Sequence, residues 1–161
     1  FYQGQKPAVD VGTSVSRVGG KTQAHALREA AQTLRLDYAQ FLELESFTRF
    51  GGMPDTRVRQ QLTRGGRIRA ILDQTQHAPL RLADEIALVL AVQGGLLDAL
   101  PLMAIPDFRK GLAEVIDRDA ADAVATIQDH GTLDDDGKHA LLDALETFVR
   151  RVMPAPAEPA P

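Results

Sequence analysis

Residues 82–93 most restrict the folds that are open to this sequence. Their sequence, LADEIALVLAVQ, is apolar on nearly every face when it is drawn as a helix. Such a helix has to be surrounded by other elements, because any exposed side would place apolar side chains in water. The longest apolar run, Ile86 to Val92, is far shorter than the roughly 20 residues that span a bilayer. The segment therefore predicts the central helix of a packed domain, and no membrane-spanning helix.

The chain before this segment repeats apolar residues at steps of three and four, as amphipathic helices do. We predict one long helix from about Thr22 to Phe50, which Gly51-Gly52 ends, and a second helix capped by Asp55 or Thr56. Gly65-Gly66 lies inside the second helix and favours close packing or a kink there, because each glycine costs roughly 1 kcal/mol relative to alanine. The apolar face of the long helix is marked by Leu27, Ala31, Leu34, Tyr38, Phe41, Leu44, Phe47 and Phe50.

Three more helices are predicted after the central one. The first has Pro106 in its first turn, where proline is tolerated. A short helix runs from about Asp119 to Asp129, and the last begins among Asp134–Asp136, where negative charge suits the helix dipole. The predicted fold is an all-α, irregular bundle of about six helices. A short strand or loop segment around Ala8–Val11 precedes it.

Composition excludes several classes of protein. The chain has 161 residues and a net charge of -4, which suits one soluble domain and argues against a general nucleic-acid binder. It has no cysteine, which excludes a disulfide framework and thiolate metal sites. Its four histidines show no metal-ligand spacing, so we predict no metal site. The chain begins at Phe1 without an initiator methionine, which indicates a fragment of a longer protein.

The segment from Val11 to Thr22, VGTSVSRVGGKT, ends like a phosphate-binding P-loop. A P-loop needs a glycine five residues before its Gly-Lys-Thr, so that the backbone can wrap the phosphates. That position is Val15, which argues strongly against a P-loop. Gly19-Gly20 is then more simply a turn ahead of a helix. Arg17, among two serines and a threonine, remains either a surface arginine or a functional cation.

The sequence resembles the C-terminal portion of the alpha subunit of the F-type ATP synthase. The string Ser-Val-Ser-Arg-Val-Gly-Gly at residues 14–20 is highly specific for this family, and its spacing to Gln74 and Gln76 agrees. The sequences at residues 20–23 and 35–38 look more like the alternate, sodium-type branch of the family. Other matching residues are Phe1, Gly4, Pro7, Ala8, Val11, Gly12, Leu34, Arg35, Ala39, Gln40, Glu43, Leu44, Phe47, Phe50, Gly51, Arg64, Gly65, Leu72, Thr75, Pro79 and Leu80.

The resemblance assigns two kinds of site. Arg17 corresponds to an arginine finger that acts in trans on the nucleotide of a neighbouring beta subunit, and Val15 to a residue that lines that interface. Gln74 and Gln76, with Lys6-Pro7, correspond to the adenine side of the subunit's own non-catalytic nucleotide site. The family usually has arginine where Lys6 stands, and tyrosine at the position after Gln76. The cofactor is ATP or ADP with Mg²⁺ in the full subunit, whose P-loop and magnesium ligands this sequence lacks.

The resemblance also implies a division of the chain and a set of partners. Residues 1–22 correspond to the edge of the nucleotide-binding domain with the arginine-finger loop, residues 23–152 to the helical C-terminal domain, and residues 153–161 to a disordered tail. The implied partners are beta subunits, the gamma central stalk near residues 51–55, and the delta peripheral stalk through the rest of alpha. The implied location is the cytoplasmic face of the bacterial inner membrane, without insertion into it. A free-standing helical interaction module is the alternative.

Overall fold

The computed structural model describes residues 6–11, 14–51 and 53–153, and within these ranges the fold is all-α, as the sequence predicts. A 3₁₀ turn, Leu102–Ala104, directly precedes the sixth α-helix. The α-helices in chain order are α1 (Gly19–Thr22), α2 (His25–Ala30), α3 (Leu34–Arg49), α4 (Thr56–Leu72), α5 (Leu82–Gln93), α6 (Ile105–Asp119), α7 (Ala121–His130) and α8 (Asp135–Val152).

Helix α5 lies at the centre of the bundle, as its sequence predicts. It packs against α2, α4, α6, α7 and α8, and every residue from Ala83 to Val92 except Glu85 is buried. The buried Asp84 carboxylate accepts hydrogen bonds from the Arg81 guanidinium at 2.8 and 3.1 Å, which compensates the loss of hydration. No helix in the described ranges is long and apolar enough to cross a membrane.

The prediction of one helix from Thr22 to Phe50 is wrong, because the chain breaks twice in that range. Gln23 and Ala24 are extended, which separates α1 from α2, and a turn at residues 31–33 separates α2 from α3. The first N–H groups of a helix have no partner within it, and here the Ala26 N–H donates to the Gly131 carbonyl at 3.0 Å. This hydrogen bond to the α7–α8 turn therefore stabilises the start of α2. Apolar spacing alone does not predict that start.

The segment around Ala8–Val11, which the sequence predicts as a short strand or loop, is a loop in the residues that the structure describes. Residues 8–10 are exposed and irregular, with short-range hydrogen bonds from the Val9 N–H to the Pro7 carbonyl at 2.8 Å and from the Ser14 N–H to the Asp10 carbonyl at 2.9 Å. A strand needs a neighbouring strand to pair with. No strand is present in the ranges that the structure covers, so apolar residues alone do not make one here.

Helices α3 and α4 pack closely at Gly65, the first glycine of the pair inside α4. Helix α4 is continuous through Gly65-Gly66, and Asp55 caps it by accepting from the Val58 N–H at 2.8 Å. A Cβ at Gly65 would overlap the Phe41 ring, whereas a Cβ at Gly66 would have no neighbour nearer than 3.8 Å. Close packing, and no break in the helix, is therefore the reason for the first glycine.

The last two helices begin and end where the sequence predicts. Helix α7 ends at Gly131, whose φ of 65° is in the left-handed region that suits glycine. Asp134 caps α8 by accepting from the Gly137 N–H at 2.8 Å. On the inner face of α8, Leu141, Leu145 and Phe148 are buried and Val152 is partly buried. The predicted disordered tail falls, apart from Met153, outside the described residues.

Candidate functional site

The residues predicted to act at a nucleotide lie on one exposed stretch and one exposed loop. Arg17 and Val15 precede α1, with Val15 77% exposed. Within the described part of the chain, no hydrogen bond or ion pair holds the Arg17 guanidinium. The Arg17 side chain is exposed in the described structure.

The short helix after Arg17 explains the serine and glycines around it. The Ser16 hydroxyl accepts from the Gly19 N–H at 2.9 Å, and the Thr22 hydroxyl donates to the Gly19 carbonyl at 3.0 Å. The backbone N–H groups of Lys21 and Thr22 both donate to the Val18 carbonyl. A phosphate cradle would need such N–H groups free to face the ligand. Gly-Gly-Lys-Thr is thus one helical turn, which agrees with the argument against a P-loop.

The predicted adenine-side residues are brought together from distant parts of the sequence. The Gln74 N–H donates to the Lys6 carbonyl at 2.7 Å, and the Lys6 N–H donates to the Asp73 carboxylate at 3.0 Å. Lys6 therefore bonds through both of its backbone groups to the segment that follows α4. Pro7, joined to it by a cis peptide bond, lies at the same place.

Gln74 and Gln76 lie in the loop between α4 and α5, and every residue from Asp73 to Pro79 is exposed. The Gln74 amide nitrogen donates to the Ala78 carbonyl at 3.0 Å, which tightens the loop. His77 has a φ of 61°, a left-handed conformation that is uncommon for residues other than glycine and asparagine. Gln76 precedes this turn with its side chain in solvent.

Two residues of this region escaped the sequence analysis. Asp73 joins Lys6 to the loop, and the Arg109 guanidinium on α6 donates to the Asp73 carbonyl. The partners are separated by 67 and 36 residues. These contacts form only after α4, α6 and the segment at Lys6 have packed together. No motif or periodicity in the sequence therefore predicts them.

The C-terminal end of α3 carries an exposed apolar surface. Phe47 is 61% exposed, Phe50 89% and Met53 96%. The prediction that Phe47 and Phe50 continue the apolar face of the long helix is wrong as to burial, because both side chains are exposed. We call these three residues the α3 tip.

Glu45 and Arg69 form an ion pair between two helices of the described ranges. No group of three or more His, Asp or Glu side chains is placed to hold a metal ion there. Two hydrogen bonds of 2.8 Å from Arg69 lower the pKa of the Glu45 carboxyl. This pair joins α3 to α4, so its role is in packing.

Comparison with known proteins identifies the relatives of this protein. Residues 23–148 match the family described as "ATP synthase alpha/beta chain, C terminal domain". The chain is 53% identical over 149 residues to "ATP synthase subunit alpha 2" of Gluconobacter oxydans, an alignment that covers 92% of this chain and 29% of the relative. It is 47% identical over 161 residues to "ATP synthase subunit alpha 3" of Paraburkholderia xenovorans, covering 100% of this chain and 30% of the relative.

A third relative supports the same conclusion. The "ATP synthase subunit alpha 2" of Burkholderia thailandensis is 55% identical over 117 residues, which covers 73% of this chain and 21% of that protein. The chain thus spans less than a third of the length of these relatives, all of which are alpha subunits. The family model covers most of the chain, including every helix from α2 to α7. The protein therefore belongs to the family of C-terminal domains of ATP synthase alpha and beta subunits, and within it to the alpha subunits.

Proposed function

We propose that this chain works as the C-terminal part of the non-catalytic alpha subunit of a rotary ATP synthase. The observation that carries the proposal is the 47% identity to an alpha subunit along all 161 residues. That alignment includes residues 1–22, which precede the family model and contain Arg17. In the proposed division, these residues belong to the edge of the nucleotide-binding domain, and residues 23–152 form the helical domain. The numbered names of the relatives favour an alternate branch of alpha subunits.

Arg17 acts as an arginine finger in this proposal. Its guanidinium is exposed and held by no described residue of its own chain, so it can reach across an interface. Negative charge spreads over the phosphoryl oxygens in the transition state, and a planar guanidinium can donate to two of them at once. The catalytic nucleotide and its Mg²⁺ belong to the adjacent beta subunit. Val15, 77% exposed in this chain, lines the same interface.

A second nucleotide, bound by the alpha subunit itself, has its adenine against Gln74, Gln76, Lys6 and Pro7. The hydrogen bonds between Lys6 and the loop support this, because they place both segments at one surface. The Gln74 amide nitrogen is engaged by Ala78, which leaves the amide oxygen to accept from an amino group such as that of adenine. The phosphates and Mg²⁺ would be held by parts of the subunit outside this chain.

The α3 tip (Phe47, Phe50 and Met53) is proposed to contact the gamma central stalk. Its exposed surface is apolar, so the contact would be steric and dispersive, which suits a partner that rotates past it. The remaining partners in this proposal are beta subunits and the delta peripheral stalk. The complex would couple ATP synthesis or hydrolysis to proton or sodium transport at the cytoplasmic face of the bacterial inner membrane.

The test is ATP turnover by the assembled complex carrying Arg17→Ala. Loss of an arginine finger lowers the turnover number by about 10³- to 10⁵-fold, while nucleotide still binds. Arg17→Lys should recover little of it, because an ammonium lacks the planar fork. Arg28→Ala is the matched control, since Arg28 is also exposed and near the N-terminus but lies on α2 within the helical domain.

The result that contradicts the arginine finger is near-normal steady-state turnover of the Arg17→Ala complex. A free-standing interaction module predicts that result. Equal losses for Arg17→Ala and Arg28→Ala would also contradict it, because they would indicate a general effect of charge or assembly.

A further inference from the structure

One peptide unit of the α4–α5 loop is held from both sides. The carbonyl of Asp73 accepts from the Arg109 guanidinium on α6, and the N–H of the same peptide unit, that of Gln74, donates to the Lys6 carbonyl at 2.7 Å. A peptide unit is planar and rigid. Two bonds at its opposite ends therefore fix its orientation, and with it the direction in which the Gln74 side chain leaves the backbone.

We propose that Arg109 is a positioning residue for nucleotide binding, which acts by fixing the peptide between Asp73 and Gln74. The ligand it serves is the adenine ring of the non-catalytic nucleotide, so this inference rests on the proposed function. Arg109 itself does not touch the nucleotide. In the unliganded protein it orients the Gln74 amide and the Lys6 segment for binding.

Helix α6 offers a rigid base for this contact. Phe108 is fully buried beside Arg109, and Leu112, one turn later, is 2% exposed. The loop it holds is different, since residues 73–79 are all exposed. An exposed loop has little apolar burial to order it, so its order depends on hydrogen bonds. Besides its bonds to α4, to Lys6 and within itself, the bond from Arg109 joins the loop to α6.

The Lys6 segment depends on the same link. Its N–H donates to the Asp73 carboxylate at 3.0 Å, and its carbonyl accepts from Gln74. Loss of Arg109 would leave Lys6 and Gln74 joined to each other but would remove their tie to α6. Binding adenine would then include the entropic cost of ordering both segments, which lowers affinity.

The experiment measures equilibrium binding of Mg-ATP to the whole alpha subunit that contains this chain. Arg109→Ala and Arg109→Met are compared with Lys110→Ala, since Lys110 is the adjacent cation, is 81% exposed and pairs with Asp107. We expect both Arg109 variants to bind ATP about three- to tenfold more weakly, as the loss of one hydrogen bond to an ordering contact implies. Lys110→Ala should stay within about twofold of wild type.

Inorganic tripolyphosphate separates positioning from a general loss of structure. It has no adenine, so its affinity should be the same in wild type and in both Arg109 variants. Arg109→Lys should restore much of the ATP affinity, because an ammonium can still donate to a single carbonyl. Arg109→Met keeps the aliphatic part of the side chain on α6. It replaces Arg109→Ala in the binding measurement if the alanine variant does not fold.

Three outcomes would overturn the inference. They are unchanged ATP affinity in the Arg109 variants, an equal loss in Lys110→Ala, and an equal loss for tripolyphosphate. The variant Gln74→Ala shows whether the error is in the role of Arg109 or in the adenine site. If Gln74→Ala weakens ATP and Arg109→Met does not, the adenine site stands and Arg109 does not position it. If Gln74→Ala has no effect, the adenine site is wrong, and the inference falls with it.

Discussion

The buried helix α5 and the exposed surface of residues 6–10 and 73–79 are held in different ways. In α5, nine of twelve residues are buried, and the order comes from apolar packing on all sides. Residues 6–10 and 73–79 are exposed, and the long-range hydrogen bonds of Lys6, Asp73 and Gln74 hold them. Stability and candidate function are therefore carried by different residues. Substitutions in the exposed surface should alter nucleotide chemistry while leaving the fold intact.

The largest stability effect expected is for Phe108→Ala. Phe108 is fully buried and stacks on Phe148 with ring centroids 5.1 Å apart, and such truncations cost about 3–5 kcal/mol. Gln76→Ala, in the exposed loop, should change the free energy of unfolding by no more than about 0.5 kcal/mol. Urea unfolding of both variants measures the contrast, and similar losses would show that the two regions are not separate in stability.

The glycine pair of α4 sharpens the comparison within a single helix. Gly65→Ala places a Cβ against the Phe41 ring and should cost about 1–3 kcal/mol, as overpacking does. Gly66→Ala meets only Leu102, at 3.8 Å, and should stabilise the helix by about 1 kcal/mol. Thermal unfolding should show opposite shifts for these neighbours. A shift in the same direction for both would mean that Gly65 does not mark a close approach of α3 and α4.

The partly buried ion pair of Glu45 and Arg69 should contribute a smaller amount, about 1 kcal/mol, to the free energy of unfolding. The Arg69 guanidinium donates two hydrogen bonds to Glu45 and lowers its pKa below the value in the unfolded chain. The stabilisation is therefore complete above the unfolded-state pKa and is lost as pH falls through the lower folded-state pKa.

Glu45→Gln tests this pH dependence, because glutamine fills the same space without titrating. Its free energy of unfolding should be lower than that of wild type at neutral pH, and the difference should shrink on acidification. A constant difference across pH for Glu45→Gln would assign its effect to packing.

Much of the bundle could be predicted from the sequence, because it depends on local signals. The apolar faces of LADEIALVLAVQ require neighbours on all sides, and Gly131 and Asp134 have the local chemistry of a helix end and a helix start. The break at Gln23-Ala24 could not be predicted in this way. The apolar spacing continues through it, since α2 and α3 both face the same core, and the break depends on the distant Gly131 carbonyl.

Some residues of the candidate site could be predicted from the sequence and others could not. Arg17, Gln74 and Gln76 could be named from motif and spacing, because the resemblance to a family fixes residues one by one along the sequence. Their roles at a nucleotide stay predictions. Asp73 and Arg109 could not be named, because their contacts join residues that are close only after α4 and α6 have packed.

The sequence by itself determined the helical class, the buried α5, the caps of α4 and α8, and membership of the alpha-subunit family. These follow from signals within a few helical turns or from residue-by-residue similarity. Only the tertiary structure decided where the first helix breaks, which apolar residues stay exposed at the α3 tip, and that Arg109 ties residues 6 and 74 to the bundle. The physical reason is that hydrogen-bond partners and cover for apolar surface come from distant segments, whose approach local spacing does not encode.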